Sequence, residues 1–227
     1  DLTETTLGMA KIVQILKKGA GRKRGEDAYR MILRELLLNK DNRTANRELF
    51  QFIAEKTLDR LHESDARQIS NLAYAYALIE YVPKFEDGSD LFDRIAMHST
   101  ETRAEFAPQG ISNMVWAFAT VDKRHDALFK AMGDQVVAHD HLRDFRPQAL
   151  SNIVWAYATA EVSHQDLFET AANHIVKLDH LRDFNPQALA NIVWAYATAG
   201  VSHPKLFQQV TRAAVQRKEE LNSQDVA

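Results

Sequence analysis

Side chains able to meet an unpaired nucleobase return at fixed places along this sequence. One set is Gln109, Ser112, Asn113, Trp116 and Thr120, and a second is Gln148, Ser151, Asn152, Trp155 and Thr159. A third is Gln187, Ala190, Asn191, Trp194 and Thr198, and a fainter set, Arg67, Ser70, Asn71, Tyr74 and Leu78, precedes them all. An aromatic ring can stack on a base while amides and hydroxyls meet its Watson–Crick edge, so such a stripe suits single-stranded RNA. Stacking of this kind contributes about 1–3 kcal/mol per base. The same residues carry a second reading. A side chain that reads sequence should differ from unit to unit, yet the Asn and Trp positions do not. An unvarying Asn can bridge neighbouring backbones as a ladder, and an unvarying Trp can pack between adjacent helices, as large aromatics usually do. The Ser112/Ser151/Ala190 position does vary and is the better reader. Gln is intermediate, because Arg67 takes its place in the faint copy.

Other reactive residue types lead less far. Lys17, Lys18, Arg22, Lys23 and Arg24 flank Gly19-Ala20-Gly21. They read either as a phosphate-contacting loop or as a solvated connection between helices. This is no nucleotide-phosphate loop, since it follows a helix and lacks the Gly-Lys-Ser/Thr ending. His125, His164 and His203 stand where second helices begin, and His141 and His180 near their ends, which points to capping and packing. No His-Glu-x-x-His spacing occurs, and no nucleophile, base and orienting group can be assembled. The expectation is a binding protein, with no catalytic residue, no cofactor and no metal.

The elements that hold the stripe are repeated hairpins. The strings PQGISNMVWAFAT (108–120), PQALSNIVWAYAT (147–159) and PQALANIVWAYAT (186–198) begin 39 residues apart. Each leads to a His-x-x-Leu-Phe element, ending at Phe129, Phe168 and Phe207. Proline suits a first helical turn, where its missing N–H has no partner anyway. In the helix from Pro147, Leu150, Ile153, Val154 and Tyr157 form a bulky face expected to pack on its own hairpin partner. Ala149, Ala156 and Ala160 form a small-residue face for a neighbouring unit. The polar stripe lies opposite the bulky face and should line a concave surface. The second helix is amphipathic, with Leu167, Phe168, Ala171, Ile175 and Leu178 as its apolar stripe, and Ser163 with Asp166 resembles a capping box at its start.

The predicted fold is therefore all-α: a right-handed α–α superhelix, or solenoid, of helical hairpins with a period of about 39 residues. Degenerate or capping helices fill residues 1–64, with helices expected at about 4–18 and 26–39. Hairpin units follow at 65–106, 107–145, 146–184 and 185–222, for about eleven helices in all. Residues 223–227 read as the start of a further unit, because the string NSQDVA (222–227) resembles NPQALA (185–190). Composition agrees: 227 residues with 45% hydrophobic and 26% charged content, and few turn formers, with eight Gly and five Pro. No apolar run is long enough to span a membrane. The absence of cysteine leaves the compartment open. The chain starts at Asp1, so any targeting peptide is expected to lie outside it. The net charge of −3 is unevenly spread. Residues 1–60 hold 13 Lys/Arg against 9 Asp/Glu, and residues 61–227 hold 15 against 22.

The string PQALSNIVWAYATA with Leu-Phe a short step beyond resembles the octotricopeptide and heptatricopeptide type of helical repeat. Such repeats occur in organellar proteins that often carry a C-terminal RAP domain, and the string is also similar to the helical part of FAST-kinase-like proteins. The likeness covers about residues 65–222. It implies a mitochondrial or chloroplast protein that binds RNA and acts in processing, stability, splicing, translation or ribosome assembly. No RAP-like segment occurs in these residues. The acidic balance of residues 61–227 points instead to a protein-interaction scaffold or a structural subunit of a large organellar complex.

Overall fold

A computed structural model describes residues 47–138, 142–178 and 180–217. Nine α-helices run through them: α1 (Arg47–Leu58), α2 (Ala66–Leu78), α3 (Leu91–Glu101), α4 (Pro108–Thr120), α5 (Asp126–Ala138), α6 (Pro147–Thr159), α7 (Gln165–Val176), α8 (Pro186–Thr198) and α9 (Pro204–Gln216). No strand occurs among the described residues, apart from one isolated bridge between Lys84 and Asp90. None of the described helices is long and apolar enough to cross a membrane. The helices expected at 4–18 and 26–39 lie outside the described residues.

The helices form two layers. Even-numbered helices pack in series, α2 on α4, α4 on α6 and α6 on α8, and this layer holds the most extensive contacts. Odd-numbered helices form the second layer in the same order, from α1 to α9. Successive hairpins thus stack on one another, as in an α-solenoid.

Local chemistry explains where each helix starts. α4, α6 and α8 each have proline in the first turn. α2 starts without proline, and Asp65 and Gln68 close a capping box there instead. Among the odd helices, α3 starts on a capping box of Asp90 and Asp93, and α5, α7 and α9 start on histidine. The Nδ1 atoms of His125, His164 and His203 accept the backbone N–H groups of Leu128, Leu167 and Leu206 at 3.2, 3.3 and 3.2 Å. The capping residue of α7 is therefore His164, and the box expected from Ser163 and Asp166 is displaced by one position. His164 is also the residue whose other ring nitrogen, Nε2, lies 3.3 Å from Asp134 on the preceding odd helix.

Each even helix ends in the same way. The N–H of Lys123 donates to the Phe118 carbonyl, Val162 to Tyr157, Val201 to Tyr196, and Tyr81 to Tyr76. The residue before each donor takes a left-handed conformation: Glu80, Asp122, Glu161 and Gly200, with φ of 52°, 56°, 54° and 66°. This is the Schellman closure, which satisfies the last carbonyls and turns the chain toward the odd layer.

The core follows the Leu-Phe and Ala-Tyr-Ala recurrences. Phe50, Phe92, Phe129 and Phe168 on the odd helices are met edge-on by Tyr76, Phe118, Tyr157 and Tyr196 on the next even helix. Three of these contacts carry a hydrogen bond as well. The hydroxyl of Tyr76 donates to the Phe50 carbonyl at 2.8 Å, that of Tyr196 to Phe168 at 2.6 Å, and that of Tyr157 to Phe129. The bulky face of an even helix therefore packs on its own hairpin partner, as expected, and also reaches back to the preceding unit. Burial pushes all three phenols well above their ordinary range, so they remain neutral donors. The fourth seam lacks the hydroxyl, because Phe118 stands there. An ion pair joins the same two units: Lys123, after α4, meets Asp90 and Asp93 at the start of α3. Asp90 is buried, and although burial alone would lower the lysine, the two carboxylates hold it above its usual value.

Candidate nucleic-acid interface

An even helix inside the array has neighbours on two flanks, so only the arc between them reaches solvent. On one flank Ala149 and Ala156 are buried, as the small-residue face predicted. On the other flank lie Ser151, Val154 and Ala158, also buried. The sequence-based reading reserved only the alanine flank for packing, which left the serines free to recognise a ligand. The structure corrects this. Ser70, Ser112 and Ser151 are at most 1% exposed. They sit where consecutive even helices cross: Ser70 Oγ lies 3.4 Å from where a Cβ on Gly110 would stand, and Ser151 donates to the Ala188 carbonyl of the next helix at 3.2 Å. Ser70 also donates to its own helix at the Arg67 carbonyl. A small residue is what this crossing needs, and burial there keeps Ser70, Ser112 and Ser151 from reading a ligand.

The aromatic positions also lean on neighbours. Tyr74 and Trp116, from adjacent even helices, have ring centroids 4.9 Å apart and tilted by 41°. No base can enter between rings that close. Trp116 and Trp155 are half-buried against the core. Trp194 is 44% exposed, and Val193 beside it 36%, because no described helix covers the far flank of α8. Their counterparts Val115 and Val154 are fully buried. Thr120 and Thr159, four residues beyond the tryptophans, have buried hydroxyls, whereas Thr198 is exposed for the same reason as Trp194.

What the even layer presents to solvent is a row of amides. Gln109, Gln148 and Gln187 are exposed, and Asn113, Asn152 and Asn191 are half-exposed one turn on. Within each helix the Gln Nε2 donates to the Asn Oδ1, at 2.8, 2.9 and 2.9 Å. Links between units are longer. Asn113 donates to Asn71 at 3.5 Å, and Asn185 donates to Gln148 at 3.2 Å. One Asn thus reaches its counterpart in the preceding unit, side chain to side chain, and the other link between units ends on the exposed Gln148. Arg67 is exposed at the head of the row, where Gln stands in the other units.

The remaining nominated positions fall elsewhere. Lys17, Lys18, Arg22, Lys23 and Arg24 lie outside the described residues. The histidines at the odd-helix starts are caps, and no cluster that could hold a metal ion occurs among the described residues. One feature escaped the sequence-based reading, the phenol tie back to the preceding Phe carbonyl. Its signal was present in the regular recurrence of Leu-Phe and Ala-Tyr-Ala.

Residues 36–145 match the model of a protein family described as RNA-editing substrate-binding complex 6 protein. No curated protein matches the chain. The matched stretch contains α1 to α5 and ends at Phe145, where the unit beginning at 107 closes. Over just under half of its length, this chain is similar to a component of an RNA-editing complex.

Proposed function

We propose that this chain is an RNA-binding α-solenoid, acting in organellar RNA processing as part of an assembly of the RNA-editing type. The observation that carries this reading is the row of three identical, solvent-facing Gln–Asn pairs on consecutive even helices. The family match over residues 36–145 supports it independently. In finer detail, the array is a right-handed superhelix with a 39-residue period of the octotricopeptide kind, and its even layer is the concave, RNA-facing side. Single-stranded RNA lies along that side, with the amides of Gln109, Gln148 and Gln187 at its base edges. Protein partners in the same ribonucleoprotein occupy other faces. The chain is a binding module and not an enzyme. Of the two organelles implied by the repeat type, we favour the mitochondrion, where RNA-editing complexes are found.

Titrating single-stranded RNA pools against salt tests this. Phosphate contacts release counterions, so affinity should fall steeply as salt rises. No binding at low salt, with helicity intact, would remove the RNA reading. It would favour the protein-scaffold alternative, for which the acidic excess of residues 61–227 speaks.

A further inference from the structure

The three full units carry the same amide pair on their solvent side. Ser112 and Ser151 are buried in helix crossings, the third unit has Ala190 in their place, and at the Tyr74–Trp116 rung the rings are closed against each other. The amide pair is what remains to distinguish one base from another, and it is the same pair in the same internal geometry: Gln109–Asn113, Gln148–Asn152 and Gln187–Asn191. Each Gln spends one N–H on its Asn. That bond orients the amide and leaves its second N–H beside its oxygen, a donor and an acceptor matched to the edge of one base; the Gln148 oxygen also accepts the Asn185 amide and keeps one lone pair for a ligand. Helical repeats that read RNA take about one base per unit through two or three side chains. Three equal readers must make three equal choices. The unit before them departs from the pattern, with Arg67 where the others have Gln.

Resting on the RNA-binding reading above, we infer that the ligand class is RNA carrying the same base at three consecutive unit-spaced positions, a short homopolymeric tract. A mixed sequence can satisfy at most some of the three readers. A tract longer than three bases can be engaged in several registers, because no unit among the three marks a unique position.

The test uses the full chain and four fluorescein-labelled RNA 12-mers: all A, all U, all C, and a sequence in which no base occurs twice in a row. Anisotropy titrations at low salt should show one homopolymer bound at least about tenfold more tightly than the mixed sequence. Each bidentate base contact is worth about 5- to 100-fold in discrimination, with solvent-facing amides at the low end. Replacing one reader, Gln148→Arg, should cut the preference for that homopolymer by about 5- to 10-fold while circular dichroism stays unchanged. Equal affinity for all four RNAs, or preference for the mixed one, would overturn the tract inference and leave RNA binding standing. Failure of every RNA to bind would overturn the RNA reading and this inference with it.

Discussion

Replacing Trp155 and Gln148 separately with alanine distinguishes packing from recognition on the same helix. Trp155 is half-buried against the core, and truncating a fully buried aromatic costs about 3–5 kcal/mol. With part of its ring already in solvent, Trp155→Ala should cost about 2–3 kcal/mol. For a chain of this size each kcal/mol moves the melting midpoint by about 2–4 °C, so the expected fall is about 4–12 °C. Trp194→Ala is the internal control. Its ring is 44% exposed on the uncovered flank of α8, and it should cost about half as much. Gln148 is exposed and bonds only to neighbouring surface amides, so Gln148→Ala should stay within about 0.5 kcal/mol of the parent protein. Its effect should appear in RNA affinity, as a loss of about 5- to 10-fold. Thermal melts followed by circular dichroism, with anisotropy titrations on the same samples, read both quantities. A Trp155→Ala protein that melts like its parent but loses tenfold or more in RNA affinity would refute the packing argument. The tryptophan would then be a stacking platform.

Two further outcomes follow from the backbone and the phenols. Glu161 holds φ of 54° in a closure where the matching residue of the next unit is Gly200, so Glu161→Gly should stabilise by about 0.5–1 kcal/mol in chemical denaturation. Gly200→Ala should destabilise by a similar amount, and equal signs for the two would contradict the strain assignment. Tyr76, Tyr157 and Tyr196 bind their protons more tightly folded than unfolded. Their contribution is complete below about pH 10 and is lost as pH rises past it, by about 1.4 kcal/mol per pH unit for each phenol. Tyrosinate absorbance from these residues should therefore appear together with loss of helicity. Ionisation of all tyrosines with helices intact would show that the phenols are not buried donors.

The helices were legible from sequence because proline at helix starts, uninterrupted apolar arcs and the 39-residue recurrence all point the same way. The starts of the odd helices were less so. The sequence pointed both to the histidines as caps and to a box of Ser163 and Asp166, and it is His164 that holds the Leu167 N–H. The stripe was read as one solvent-facing arc, and the structure buries several of its members. A helical wheel shows one helix, and an inner helix of a stack loses two flanks, so Ser112 and Ser151 vanish into the crossings while Gln109 and Gln148 stay out. The same wheel showed Tyr157 as apolar bulk, and its hydroxyl tie across units depends on a distant carbonyl that no local pattern reveals.

The seam between α3 and α4 is built differently from its neighbours. Three joints are held by phenol hydroxyls on carbonyls, and the one at Tyr157 also brings His164 to Asp134. The fourth replaces the hydroxyl with Phe118 and adds Lys123 on Asp90 and Asp93. An ion pair whose outer carboxylate stands partly in solvent answers to salt. Among the described residues the seam between α3 and α4 therefore exchanges a neutral tie for a charged one; it lies inside the stretch that matches the RNA-editing family, and Gln109, Gln148 and Gln187 all lie on its C-terminal side.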